Sequence, residues 1–76
     1  MTVESTALER VVELTAQIAE LAAQRDAAVA EAVSAGARWA DIGEALGVSA
    51  QAAHRRFRWV RWDPDSGVVW HEPPLG

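Results

Sequence analysis

The chain has 76 residues, a formal net charge of −4, an apolar half and no cysteine, which makes it one small domain with a limited core. That composition excludes a disulfide framework and a thiolate zinc site, and it is too apolar for a disordered chain. There is no basic start followed by an apolar run and no stretch of about twenty apolar residues, so neither a signal peptide nor a membrane span is expected, and the chain is expected in the cytoplasm.

Residues 3–35 read as one long helix. Glu4-Ser5-Thr6 can open it, Gly36 can end it, and it contains no proline and no interior glycine. At about 1.5 Å per residue it would extend on the order of 45 Å, more than a three-helix core needs. Val11, Leu14, Ile18 and Leu21 follow the 3, 4, 3 spacing of a coiled-coil seam, which runs back to Ala7 and on through Arg25, Ala28 and Ala32. Leu8, Val12, Val29 and Val33 widen the stripe. Only two heptads carry large side chains, too few for a stable coiled coil alone. The stripe is a self-dimer seam through 7–21 with Val29 and Val33 turned inward, a packing face on its own domain, or a seam for a different protein.

Residues 39–46 read as a short helix with Trp39, Ile42 and Leu46 on one face. Gly47-Val48 is a turn, Ser49 a good N-cap, and 50–60 a third helix. Ala53, Phe57 and Val60 point inward at helical spacing, which turns Gln51, His54, Arg55 and Arg58 outward. Beyond it, Trp62-Asp63-Pro64-Asp65-Ser66-Gly67 is dense in turn formers and Val68-Val69-Trp70-His71 favours strand. That tail is either a hairpin of 59–62 against 68–71, a wing, or an ordered segment whose tryptophans cover the core. Glu72-Pro73-Pro74-Leu75-Gly76 should be extended or loose.

Charge is distributed unevenly. Residues 1–37 carry six acids against Arg10 and Arg25, for −4. Residues 38–62 carry Arg38, Arg55, Arg56, Arg58 and Arg61 against Asp41 and Glu44, for +3. Residues 63–76 carry Asp63, Asp65 and Glu72, for −3. Every basic residue is arginine, whose planar fork suits phosphate and guanine.

A helix-turn-helix needs a small residue where its helices cross, a residue tolerant of positive φ in the turn, and apolar residues filling the angle. Gly43, Gly47 and the set Ile42, Leu46, Val48, Ala53 and Phe57 supply these. The run Trp-Ala-Asp-Ile-Gly-Glu-Ala-Leu-Gly-Val-Ser-Ala-Gln-Ala-Ala-His-Arg-Arg-Phe resembles the helix-turn-helix of small bacterial, particularly actinobacterial, transcriptional regulators. It is also similar to the promoter-reading helix-turn-helix of sigma factors. The resemblance covers roughly residues 38–58. It implies that the second helix of the motif enters the major groove of double-stranded DNA with Ser49, Ala50, Gln51, His54, Arg55 and Arg58 facing it. Ala50 departs from the pattern, since many relatives carry a long polar side chain there, and this gives up a base contact.

Side-chain chemistry assigns roles within that set. Gln51 can pair with adenine and Arg55 can fork onto guanine. Ser49 and the helix N-terminal amides can bind a phosphate. Arg38, Arg56, Arg58 and Arg61 suit phosphates, which position without specifying. His54 is a base or phosphate contact or a solvated histidine; Trp59 and Trp62 serve packing or base stacking.

His54 and His71 lack ligand spacing, Asp63 and Asp65 read as turn residues, and no nucleophile–base set or phosphate-cradling loop is present, so no metal, cofactor or enzyme activity is expected. The expected fold is mainly α, a single domain over 1–76. It comprises a long helix for dimerisation (3–35), a helix-turn-helix (38–60) and a hairpin or extended tail (61–76). The expected function is DNA binding as a homodimer, as a small transcriptional regulator or nucleoid-associated factor. The alternative is a protein-interaction module whose acidic helix binds another protein, such as RNA polymerase or a phage or plasmid factor, with no DNA contact.

Overall fold

A computed structural model describes residues 2–72. It is mainly helical, with α1 (Val3–Ser34), α2 (Trp39–Leu46), α3 (Ala50–Phe57) and a small antiparallel sheet of β1 (Val60–Trp62) and β2 (Val69–His71). No helix among the described residues is long and apolar enough to cross a membrane.

Each helix end has a local cause. The helix α1 starts at Val3 as expected, and its cap is Thr2, two residues before Glu4; the Thr2 hydroxyl accepts from the Ser5 amide. At its far end the Gly36 amide donates to the Val33 carbonyl and the Ala37 amide to the Ala32 carbonyl, a closure that requires the positive φ of Gly36. Gly47, at φ +78°, closes α2 in the same way onto Glu44 and Gly43. The Ser49 hydroxyl then accepts from the Ala52 amide to start α3.

The expected third helix over 50–60 ends early, at Phe57. Val60 is buried as expected, but as the first residue of β1, because the chain turns at Arg58 and Trp59 to pair with β2. The hairpin is two residues narrower than 59–62 against 68–71, with Val60 opposite His71, Arg61 opposite Trp70 and Trp62 opposite Val69. Of the tail at 72–76, only Glu72 lies among the described residues.

The core is small. Val29 and Ala30 from α1, Ile42 from α2, Ala53 and Phe57 from α3 and Val60 from β1 are buried, with Val33, Trp39, Leu46, Trp62 and Val69 packed around them. Val48, expected in the angle between the short helices, is instead 47% exposed. Its backbone makes the crossing. A Cβ on Gly43 would stand 2.8 Å from the Val48 carbonyl oxygen and 2.9 Å from the Ser49 carbonyl group, so no side chain fits there.

All of the core contributed by α1 lies near its C-terminal end; residues 2–21 are exposed throughout. The radius of gyration is 16.5 Å and the long axis 51 Å, against about 11 Å for the radius of a compact chain of this length. Accessible surface is 5916 Å², where a compact chain of this mass shows about 4500 Å².

Gly43→Ala is expected to lower the unfolding free energy by about 1–3 kcal/mol through overpacking, read from the urea midpoint. An unchanged midpoint would show that the crossing opens without cost.

Candidate nucleic-acid interface

The inward face of α3 fixes its outward face. Ala53 and Phe57, each 1% exposed, sit four residues apart against the core. On a 3.6-residue period the opposite side then carries Gln51, Arg55 and Arg58 in one row. All three are exposed, as are Ser49 and Ala50 at the N-terminal end of the helix.

Two expected contact residues flank that row instead of belonging to it. His54 leans toward α2, its ring meeting Trp39 edge-on at 5.1 Å. Arg56 lies on the other side, where with Ala52 it lines a shallow groove with Arg25, Leu46 and Val48. Its guanidinium also stacks over the Phe57 ring at 5.1 Å, and that of Arg58 over the Trp59 ring at 5.4 Å. Both stackings hold a flat cation in place with its N–H edge free to donate.

Arg38 and Arg61, also expected at phosphates, are engaged elsewhere. Arg38 forks onto the Asp41 carboxylate through Nε at 3.0 Å and Nη2 at 3.2 Å. That bond, and the charge of Asp41 behind it, raise the guanidinium pKa further. Arg61 donates to Glu72 at 3.0 Å and to the carbonyls of Val60 and Arg58 at 2.9 and 3.3 Å, holding the outer face of the hairpin to the end of α3. Among the described residues, Arg55, Arg56 and Arg58 make no ion pair, and no acid lies between Ser49 and Trp62. The free positive charge is therefore concentrated on α3 and the residue that follows it.

The hairpin does not extend that basic surface. Trp62 and Val69 pack on the core, and the strands rest against α1. Its tip is acidic: Asp63 accepts from the Ser66 hydroxyl at 2.8 Å and from the Asp65 amide at 3.0 Å. Like charge keeps such a tip from a phosphate backbone, so the hairpin covers the core and ties down Arg61.

No protein family, curated protein or solved structure was found to match this chain. Any functional reading consequently rests on its own residues.

The Ser66 hydroxyl, and after it the Asp65 amide, hold the Asp63 carboxyl below the ordinary carboxylate range. A depressed folded pKa contributes stability that is complete above the unfolded value near pH 4 and is lost as pH falls through the folded one. Acidification through that window should loosen the turn, visible as loss of the Gly67 amide NMR signal. Asp63→Ala should remove this acid-dependent component and leave behaviour above about pH 5 flat; an unchanged acid limb would place the titrating group elsewhere.

Proposed function

We propose that the protein binds double-stranded DNA, with α3 in the major groove, as a homodimeric small transcriptional regulator or nucleoid-associated factor. The observation that carries this reading is the row Gln51, Arg55, Arg58. It is a set of exposed donors on one side of a short helix, with unpaired guanidinium groups, on a chain that is otherwise acidic. A rod of this width enters the major groove, and its side chains carry the donor pattern that adenine and guanine edges accept.

Roles follow from position. Gln51 and Arg55 stand near the N-terminal end of the row and face base edges; Arg58 and Arg56 reach the flanking phosphates. The Ser49 hydroxyl is occupied as an acceptor by the Ala52 amide but can still donate its own proton to a phosphate. Ala50 contributes surface without a polar contact. With so few base contacts per chain, two copies on two half-sites would supply the affinity and specificity that one α3 lacks. Val11, Leu14, Ile18 and Leu21 are the dimer seam in this reading. All four are exposed, so they do not pack on their own domain.

A second reading draws on the same exposure: α1 as the docking surface for a different protein, with no DNA contact. Salt dependence separates the two. A dimer placing Arg56 and Arg58 of each copy at phosphates should lose affinity about 150-fold between 50 and 200 mM salt, and a monomer about twelvefold. Absence of binding at 50 mM salt would sink the DNA reading.

Two substitutions refine it. Arg55→Ala should cost about 1–3 kcal/mol at a selected site and relax one base position, whereas an equal loss on random DNA would make Arg55 a phosphate clamp. Arg38→Ala and Arg61→Ala should leave the salt slope unchanged, because Asp41 and Glu72 already neutralise those side chains. A shallower slope for either would return it to the interface.

A further inference from the structure

The first five turns of α1 bury nothing, and one side of them is apolar. Ile18 is 68% exposed and Leu21 64%, with Leu8, Val11 and Leu14 exposed alongside. The stripe is bounded by charge at both ends. Glu4 falls on it one step before Ala7, and Arg25 one step after Leu21. Beyond Arg25 it continues through Ala28 and Ala32 as one wall of a cleft, whose other wall is Ile42, Ala45 and Leu46.

We propose that a second copy of the chain lies antiparallel along α1, with Glu4 of each copy beside Arg25 of the other. This rests on the dimer of the reading above and adds its direction, register and charged ends. Three features of α1 favour it over the parallel pairing.

Charge is the first. Parallel pairing sets identical residues face to face: Glu4 against Glu4, which repels, and Arg25 against Arg25, where the Asp26 carboxylate of each copy offsets part of the repulsion. Antiparallel pairing turns both ends into attractions. Arg25 binds Asp26 through Nε and Nη2, which leaves Nη1 to donate to a carboxylate.

Length is the second. With charged ends that repel, the usable seam is the two heptads from Ala7 to Leu21, short of the three or four that a coiled coil needs. With ends that attract, it runs from Glu4 to Ala28, about three and a half heptads. The surface that this chain shows in excess of a compact fold, about 1400 Å² per copy over all faces of the helix by the surface-area scaling, leaves room for the roughly 800 Å² per partner of a standard interface.

Room is the third. α2 borders the stripe at Ala28 and Ala32. In a parallel pair both α2 helices would crowd one level of the seam. In an antiparallel pair each α2 cleft meets only the free N-terminal end of the other α1, where Val3 is 88% exposed and the facing alanines leave space.

One register satisfies the whole stripe. Leu14 faces Ile18 of the other copy and Val11 faces Leu21, which puts Ala7 against Arg25 and Glu4 against Ala28, with the arginine reaching one turn along to the carboxylate. At the flanks Thr15 and Gln17 each face their own counterparts, Arg10 faces Gln24 and Glu31 faces Val3, so no like charges stand directly opposite one another. The acids Glu9, Glu13 and Glu20 remain outside the seam. β-branched Val11 and Ile18 alternating with Leu14 and Leu21 suit two strands in parallel coils. That preference concerns the number of helices, and the charged ends decide their direction.

The absence of native cysteine allows a direct test in the full chain. Val11→Cys and Leu21→Cys proteins, oxidised as a mixture, should link to one another, and neither should link to itself. Self-linked Val11→Cys and Leu21→Cys dimers would overturn the proposal in favour of parallel pairing. Charge reversal gives a second measurement at exposed positions that do not threaten the fold. Glu4→Arg or Arg25→Glu alone should raise the dimer dissociation constant roughly tenfold, and the two together should restore it. Unchanged singles, or no rescue in the double variant, would overturn it. Sedimentation of the unaltered chain as a monomer at all concentrations would remove the dimer itself. DNA titration of that same sample would show separately whether α3 binds, so the DNA reading can stand or fall independently.

Discussion

The backbone of Val48 and Ser49 lies against Gly43 at a distance that no side chain could share, and the rest of the domain depends on this contact. It sets α2 and α3 close enough for Ile42, Ala53 and Phe57 to share one core with Val29 and Ala30. The direction of α3 follows, and with it the outward row of Gln51, Arg55 and Arg58. A larger residue at 43 would push α3 away and rotate that row off its axis. The geometry of the candidate interface is thus controlled by a residue that touches nothing outside the protein. Gly47 acts beside it differently: there the demand is a left-handed backbone with open space around it, which only a residue free of Cβ strain meets comfortably.

Such a small core leaves much of the chain to be explained by something else. Among the described residues, six buried side chains stabilise a domain onto which the long α1 is attached by roughly its last third. An isolated helix of good formers can persist at this length, but marginally, and its exposed valines, leucines and isoleucine would gain by being covered. The same chain that folds economically at one end presents unfinished apolar surface at the other. In a protein with this much alanine such surface is not an accident of composition: Val11, Leu14, Ile18 and Leu21 are grouped on one stripe, and of the acids of α1 only Glu4 falls on it.

What was legible in the sequence was whatever local chemistry determines. The span of α2 could be read to the residue because Gly47 and the apolar spacing define it. α1 differed only at its ends, where Thr2 rather than Glu4 to Thr6 supplies the cap. What could not be read depends on distant partners. Nothing local stops α3 at Phe57; Val60 continues the helical apolar spacing, and only its pairing with His71 across the hairpin pulls it into a strand. Arg61 is withdrawn from the surface by Glu72, eleven residues on, through that same pairing. The Arg38–Asp41 fork is another matter. An arginine and an aspartate three apart at a helix start are a visible signal, and counting Arg38 only as free positive charge passed over it. The contact of Trp39 with His54 joins two helices and has no local sign.

The acidity of the chain is also resolved by geometry. Net charge describes the far field, whereas phosphate is met by whatever side chains stand within about a Debye length of it. The acids of α1 cluster on a helix whose first five turns extend away from the core, and the acidic turn at Asp63 tops a hairpin packed on α1. Asp41, the acid at the start of α2, is itself neutralised by Arg38. If two copies pair antiparallel about residue 16, the two Val29 positions, where α1 enters each core, stand roughly 40 Å apart along the shared axis. The acidic stalks would then repel any approach of DNA except from the side where Arg55 and Arg58 face outward, so the negative charge that argues against nucleic-acid binding in bulk would act to orient it.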